Sequence, residues 1–263
     1  MMSTDLFRIT CGESMPVSEK NPALLLKRDE EGLFLTDGEL ALRGDFTKML
    51  PRLKENNLRG EMVVKAAKLK NTDHVPYVVD ATAGMGEDSL LLAAAGFEVI
   101  LFEYDPVIAA LLQDTIERAR KIPEICQAAA RMHLYCENSI EALVRIGSES
   151  EKVQAGGESG KTQVGGDVFA EYGLPLTGPD VVLLDPMFPE RTKSSLVKKK
   201  FQLLQQLESP CSEENELLSA ALAARPHKIL IKRPLKGPFL AGQKPSYSLK
   251  GKAVRYDCIV LAQ

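Results

Sequence analysis

The sequence predicts an α/β protein: a mostly parallel sheet with helices on both faces, closed by an antiparallel carboxyl-terminal hairpin and preceded by a small β-rich subdomain. Three observations carry this. Between Tyr77 and Pro106 the chain reads strand, glycine turn, helix, strand, acid, which is one βαβ unit. Two more apolar runs, His133–Cys136 and Asp180–Leu184, alternate with helical periodicity, as successive strands of a parallel sheet do. The first 71 residues lack that alternation and hold short apolar runs separated by turn signals.

Length and composition bound the rest. At 263 residues, 44% hydrophobic and 26% charged, the chain can bury a full core and carry a small appendage. Disorder of the whole chain is excluded. No apolar run approaches a membrane span, and the start carries Asp5 and Arg8 with no apolar targeting stretch, so a soluble cytoplasmic protein is expected. The five cysteines have no C-x-x-C spacing and the three histidines lie far apart, so neither a disulfide framework nor a metal centre is expected. The net charge of −3 is unevenly spread: from Pro186 onward 14 Lys and Arg face 6 Asp and Glu. A balance of +8 there, against −11 elsewhere, points to a polyanion partner.

In chain order, Leu24–Leu26, Leu33–Leu35 and Leu40–Leu42 form a three-stranded antiparallel sheet, and a helix runs from Arg59 to Lys70. The domain boundary falls between residues 1–71 and 72–263. Tyr77–Val79 then make a buried strand ending in Asp80. Gly84 and Gly86 allow a tight turn and close approach of a ligand to backbone, Leu90–Ala95 are helical, and Val99–Phe102 form the next strand. Glu103 ends it, 19 residues after Gly84, where an acid holds ribose hydroxyls in nucleotide-binding sheets. Ser89 departs from the dinucleotide fingerprint, which asks for Gly or Ala at that place, so a nicotinamide cofactor is weakened.

Asp105-Pro106 opens a helix to Lys121, and Met132–Cys136 make a third strand. Asn138 and Ser139 follow it, Ser139 as a helix cap or both against a bound adenine. From Gly147 to Gly178 eight glycines in 32 residues read as a flexible insertion. Asp180–Leu184 form the fourth strand, and Asp185-Pro186-Met187-Phe188-Pro189 presents an acid, a stiffened turn and an aromatic face at the ligand edge. A helix over Arg191–Leu207 carries Lys198, Lys199 and Lys200. After a helix at Glu213–Ala224, His227–Ile231 make a fifth strand with Lys232 and Arg233 at its end, and Tyr247–Leu261 close the sheet.

Asp80-x-x-x-Gly84-x-Gly86, Glu103 and Asp185-Pro186-x-Phe188 together resemble a class I S-adenosylmethionine-dependent methyltransferase, with the motif of exocyclic-amine methylation. The strings DATAGMGEDS, DPVIAALL, LLDPMFPERTKSSLVKKK and IKRP resemble a narrower group, the ribosomal RNA small subunit methyltransferase J family, over most of residues 59–263. The resemblance implies a Rossmann-like fold, S-adenosyl-L-methionine as cofactor with S-adenosyl-L-homocysteine as product, and methylation of a guanine N2 in small-subunit rRNA, free or in the subunit. It implies no metal and no membrane. Cofactor contacts carried over by motif are Asp80, Gly84, Gly86, Glu87, Asp88, Glu103, Tyr104, Asn138, Ser139 and Asp185. Catalysis falls to Asp185, Pro186 and Phe188, and phosphate binding to Lys198, Lys199, Lys200, Lys232 and Arg233. Met187 stands where the amine motif has Pro, and Glu87 and Tyr104 stand where relatives carry Arg. Methylation of DNA or a small amine, and RNA binding without catalysis, remain open at this stage.

Overall fold

The computed structural model describes residues 9–17, 23–70, 72–154, 168–175, 178–186, 203, 207 and 213–261. Its first sheet is antiparallel and runs in chain order: β1 (Ser14–Pro16), β2 (Leu25–Asp29), β3 (Gly32–Thr36) and β4 (Ala41–Leu42). β2 and β3 pair Leu26 with Leu35 and Asp29 with Gly32 around a two-residue turn. Period-two alternation puts Leu24, Leu26, Leu33 and Leu35 on one buried face. A 3-10 turn (Phe46–Met49), capped by the Asp45 carboxylate, leads into the short helices α1 (Leu50–Leu53), α2 (Glu55–Leu58) and α3 (Met62–Ala67).

α3 is shorter than the Arg59–Lys70 expected from periodicity. The reason is tertiary: Lys228 Nζ donates to the carbonyls of Ala66 (2.9 Å) and Lys68 (2.7 Å), satisfying acceptors that further helical turns would otherwise take up. Lys68 leaves the helix at ψ 128°.

The main sheet follows: β5 (Tyr77–Asp80), α4 (Glu87–Ala94), β6 (Glu98–Phe102), α5 (Pro106–Ala119), α6 (Cys126–Ala130), β7 (Met132–Tyr135), α7 (Ser139–Gln154), α8 (Val168–Tyr172), β8 (Val181–Leu184), α9 (Glu214–Ala223), β9 (Lys228–Pro234), β10 (Tyr247–Lys250) and β11 (Val254–Val260). Its spatial order is β10-β11-β9-β8-β5-β6-β7. The five strands from β9 to β7 are parallel, and β11 and β10 close the edge antiparallel. Strand residues alternate between two cores. Val78, Val99, Leu101, Val181 and Leu183 pack with α3, α4, α5 and α6, while Val79, Ile100, Phe102, Val182 and Ile231 pack with α7, α8 and α9. Burial on both faces explains why these strands are continuous apolar runs.

The first sheet packs on α5 through Val107, Ile108, Ala110 and Leu111. Arg28 of β2 reaches the buried Asp114 of α5 at 2.7 Å and fastens the sheet there, while Arg118, paired with Asp114 within α5, donates to the Gly44 carbonyl at 2.6 Å. Gly32 sits at φ +116°, and a Cβ on it would meet Arg118 and Asp114 at under 3 Å, so the hairpin approaches α5 closely because this residue has no side chain.

Two expectations change. Residues 147–154 continue α7, and Phe169 and Tyr172 of α8 are buried, so the glycine-rich stretch is in part core. Tyr172 stacks edge-on against Phe102 (5.1 Å) and Tyr135 (4.9 Å). β9 extends to Pro234 because β11 pairs with it over its whole length, so Lys232 and Arg233 lie inside a strand, not beyond one.

Candidate active site

Ligands of open α/β sheets bind outside the carboxyl ends of the strands where the connections diverge to opposite sides. Here that point lies between β5 and β8: from β5 the chain moves outward through β6 and β7, then returns to the other side of β5 with β8 and β9. The glycine turn occupies the β5 side. Gly84 (φ +52°) and Gly86 (φ +72°) are both left-handed. A Cβ on Gly86 would meet Leu112 Cδ1 at 2.7 Å, whereas nothing lies within 4 Å of one on Gly84. The turn is thus pressed onto α5 at one glycine and open at the other. α4 begins at Glu87 with no side-chain cap, leaving its first N–H groups toward the crevice edge.

Two acids fix this turn. Glu103, at the end of β6, accepts from Gly84 N–H (2.9 Å) and Asp105 N–H (2.8 Å). Asp80 is buried and accepts from the Ser89 hydroxyl (2.5 Å) and Thr82 N–H (3.1 Å). Burial raises its pKa to about 7, and the charges of Asp88 and Asp185 push the same way against those two hydrogen bonds. Ser89 therefore has a task that the dinucleotide fingerprint does not foresee. It is the donor that makes the buried Asp80 tolerable.

Across the switch point, Asp185 follows β8, its N–H donating to Thr82 Oγ1 (2.6 Å). Its carboxylate lies 2.9 Å from Lys232 Nζ, which also contacts Asp88 at 2.9 Å. Tyr256 OH donates to the same Asp88 oxygen at 2.8 Å. Burial opposes the charge on Lys232, but Asp185 and Asp88 outweigh it and hold the ammonium above its ordinary pKa. The β5 and β8 halves of the crevice are thereby joined by a lysine from β9.

Comparison with known proteins places this geometry. A family model described as a putative SAM-dependent methyltransferase matches residues 14–154 and 169–261. The ribosomal RNA small subunit methyltransferase J of Pseudomonas aeruginosa strain LESB58 is 41% identical over 198 residues, covering 75% of this chain and 65% of that relative. That of Marinobacter nauticus is 34% identical over 262 residues, covering 97% and 84%. The chain belongs to the ribosomal RNA small subunit methyltransferase J family. A solved SAM-dependent methyltransferase from Neisseria gonorrhoeae, 31% identical, superposes with a TM-score of 0.62 over 89% of this chain and 81% of that one. The family model reaches back to residue 14, so membership extends into the first sheet, beyond the span of the resembling strings.

The cofactor of the methyltransferase J family, S-adenosylmethionine, suits the residues present. The open side of Gly84, the adjoining Glu103 carboxylate and the uncapped start of α4 supply a bare backbone approach, a hydroxyl acceptor and N–H donors. Of the expected contacts, Asp80, Gly84, Gly86, Glu87, Asp88, Glu103, Tyr104, Asn138, Ser139 and Asp185 all lie at the carboxyl ends of β5, β6, β7 and β8. Tyr104 is 74% exposed, and Pro186 is buried. Asn138, not Ser139, caps α7, accepting from Ile140 N–H at 2.9 Å. Phe188, Lys198, Lys199 and Lys200 lie outside the described residues.

Two expected phosphate contacts are engaged within the protein. The Arg233 side chain has 0% exposure and donates to Pro238 O (2.8 Å) and Glu214 (3.2 Å), holding the loop after β9. Lys232 is engaged by two carboxylates. Alternation along β9 sends these neighbours to opposite faces, which their adjacency in sequence conceals. Sequence reasoning also missed Thr82, Ser89 and Tyr256. Ser89 had a signal, a polar residue just ahead of the apolar run Leu90–Leu92, whereas nothing near Tyr256 marks it. Among the described residues no cluster of His, Cys, Asp and Glu is placed to hold a metal, and no helix is long and apolar enough to cross a membrane.

Proposed function

We propose that this protein methylates the exocyclic N2 of a guanine in small-subunit rRNA, in the cytoplasm, using S-adenosylmethionine. The observation that carries the reading is Asp185, presented at the end of β8 directly across the switch point from the Gly84–Glu103 turn. The names of the relatives, ribosomal RNA small subunit methyltransferase J, support the polymer. When bound, S-adenosylmethionine supplies an electrophilic methyl group. Glu103 would take the ribose hydroxyls, Asp88 and Glu87 would flank the tail, and Asn138 and Ser139 would border the adenine.

A guanine amine is a weak nucleophile because its lone pair is delocalised into the ring, so alignment within about 3–3.5 Å and relief of that delocalisation dominate. The Asp185 carboxylate and the Pro186 carbonyl are both acceptors for its two N–H groups. Accepting both favours a more pyramidal nitrogen and localises the lone pair. Phe188 would stack on the base once it leaves its pairing partner. Phosphates would meet exposed cations at the same sheet edge: Lys236 after β9, and Lys250 and Lys252 in the β10–β11 turn.

The test is transfer of labelled methyl from S-adenosylmethionine to small-subunit rRNA, free and in subunits, from a strain lacking this protein, with Asp185→Ala as the inactive control. N2-methylguanosine as the labelled nucleoside is expected. Tight S-adenosylhomocysteine binding with no incorporation into either substrate overturns the rRNA reading and directs the search to DNA or small amines.

A further inference from the structure

We propose that Lys232 is a positioning residue, its ammonium tying Asp185 on the substrate side of the crevice to Asp88 on the cofactor side. This rests on the reading above, in which Asp185 receives the amine. The geometry is specific. β9 pairs with β8 up to Leu184 and Ile231, so the next residue on each strand, Asp185 and Lys232, stand side by side. Lys232 is directly opposite Tyr256 on β11, and both reach the same oxygen of Asp88 at 2.9 and 2.8 Å. The Lys232 side chain is 24% exposed and that of Asp88 16%, so this half of the bridge is shielded from solvent more than a surface ion pair is, while the Asp185 side chain at the other end is 41% exposed.

Charge makes the bridge necessary. Asp80 from β5, Asp88 from α4 and Asp185 after β8 converge here, with Tyr256 from β11 and, further off, Arg52 and Arg233 acting on the same groups. Among the described residues Lys232 is the cation in contact with two of these acids. Its ammonium lies between Asp88 and Asp185, offsetting their mutual repulsion and linking the end of β8 to α4. An ammonium so placed orients one carboxylate for the substrate, whereas a phosphate contact would require it to leave both acids.

The test uses the whole chain carrying Lys232→Met, which keeps the length and removes the charge, with Tyr256→Phe as a milder change and Lys232→Arg as a rescue. The Asp185 carboxylate is titrated by 13C NMR, assigned by its absence in Asp185→Asn, and kcat and KM for rRNA methylation are followed against pH. In Lys232→Met the Asp185 titration is expected to move to higher pH, together with the acid limb of kcat. The rate should fall about 100-fold, as misplacement of a reacting group does, with KM for RNA within about twofold. Tyr256→Phe should shift both in the same direction by less, and Lys232→Arg should recover part of the rate. An unchanged Asp185 titration overturns the proposal, whether the variant then shows a raised KM with a shallower salt dependence, as a phosphate contact would, or a lowered melting temperature with kcat intact. If the unmodified protein does not methylate rRNA, the functional reading fails while the titration still decides whether Lys232 governs Asp185.

Discussion

Ser89 shows how much of a site one hydroxyl can hold. Its Oγ lies 2.5 Å from a carboxylate that has left water entirely, and the remaining described donor to that group is the Thr82 N–H at 3.1 Å. Removing a partner from a buried acceptor costs roughly 1–3 kcal/mol, more than the bond itself contributes, because the desolvated group is left unsatisfied. Ser89→Ala is therefore expected to lower unfolding free energy by about that amount, read from urea midpoints at constant m-value. The same carboxylate gives a pH signature. Asp80 titrates at about 7 in the folded chain against 3.8 as a reference, so the folded state binds its proton more tightly. Its contribution to stability is fully present below about pH 4 and is lost as pH rises through about 7. Melting temperatures of Asp80→Asn measured from pH 4 to 8 should lack that fall. A parallel decline in both proteins would show that another group is responsible.

At the scale of elements, Gly147 is read in sequence as the start of a loop and is found in the middle of α7. It has no side chain because α9 crosses there: a Cβ would lie 2.4 Å from the Ala223 carbonyl oxygen. Glycine in a helix interior usually costs about 0.5–1 kcal/mol relative to alanine, so propensity predicts that Gly147→Ala stabilises. Packing predicts the reverse, and it prevails because backbone on α9 has to move to admit the methyl. A loss of about 1–3 kcal/mol is expected by chemical denaturation, and a gain would show that the two helices separate easily. β9 illustrates a related point. Its three cations have three unrelated tasks: Lys228 ends α3, Lys232 joins two acids, and Arg233 braces the following loop.

For the whole molecule, the asymmetry of charge survives in altered form. Arg233 leaves the surface and Lys232 is held by two carboxylates, while Lys236, Lys250 and Lys252 stand exposed at the edge that carries the site. Reversing Lys250 and Lys252 to Glu should raise the KM for rRNA and reduce the slope of log affinity against log salt by about 1–2, with kcat on saturating RNA unchanged. An unaltered salt slope would place the RNA path elsewhere on the protein.

The sequence by itself determined the parallel sheet, the glycine turn, the acid at its second strand and the acid at its fourth, because each rests on local chemistry: buried strands are apolar runs, left-handed turns need glycine, and binding edges need acceptors at strand ends. It also carried enough of the family's strings to point to methylation. Tertiary structure decided what spans distance along the chain. Ser89 meets Asp80 across the turn, Lys232 and Tyr256 reach Asp88 from strands 144 and 168 residues away, and the carbonyls that end α3 are taken by Lys228, 162 residues after Ala66. Charge in a sequence has no direction. Whether a lysine faces solvent, a phosphate or two carboxylates depends on the face of the strand that carries it, which the sheet fixes only when its neighbours pair.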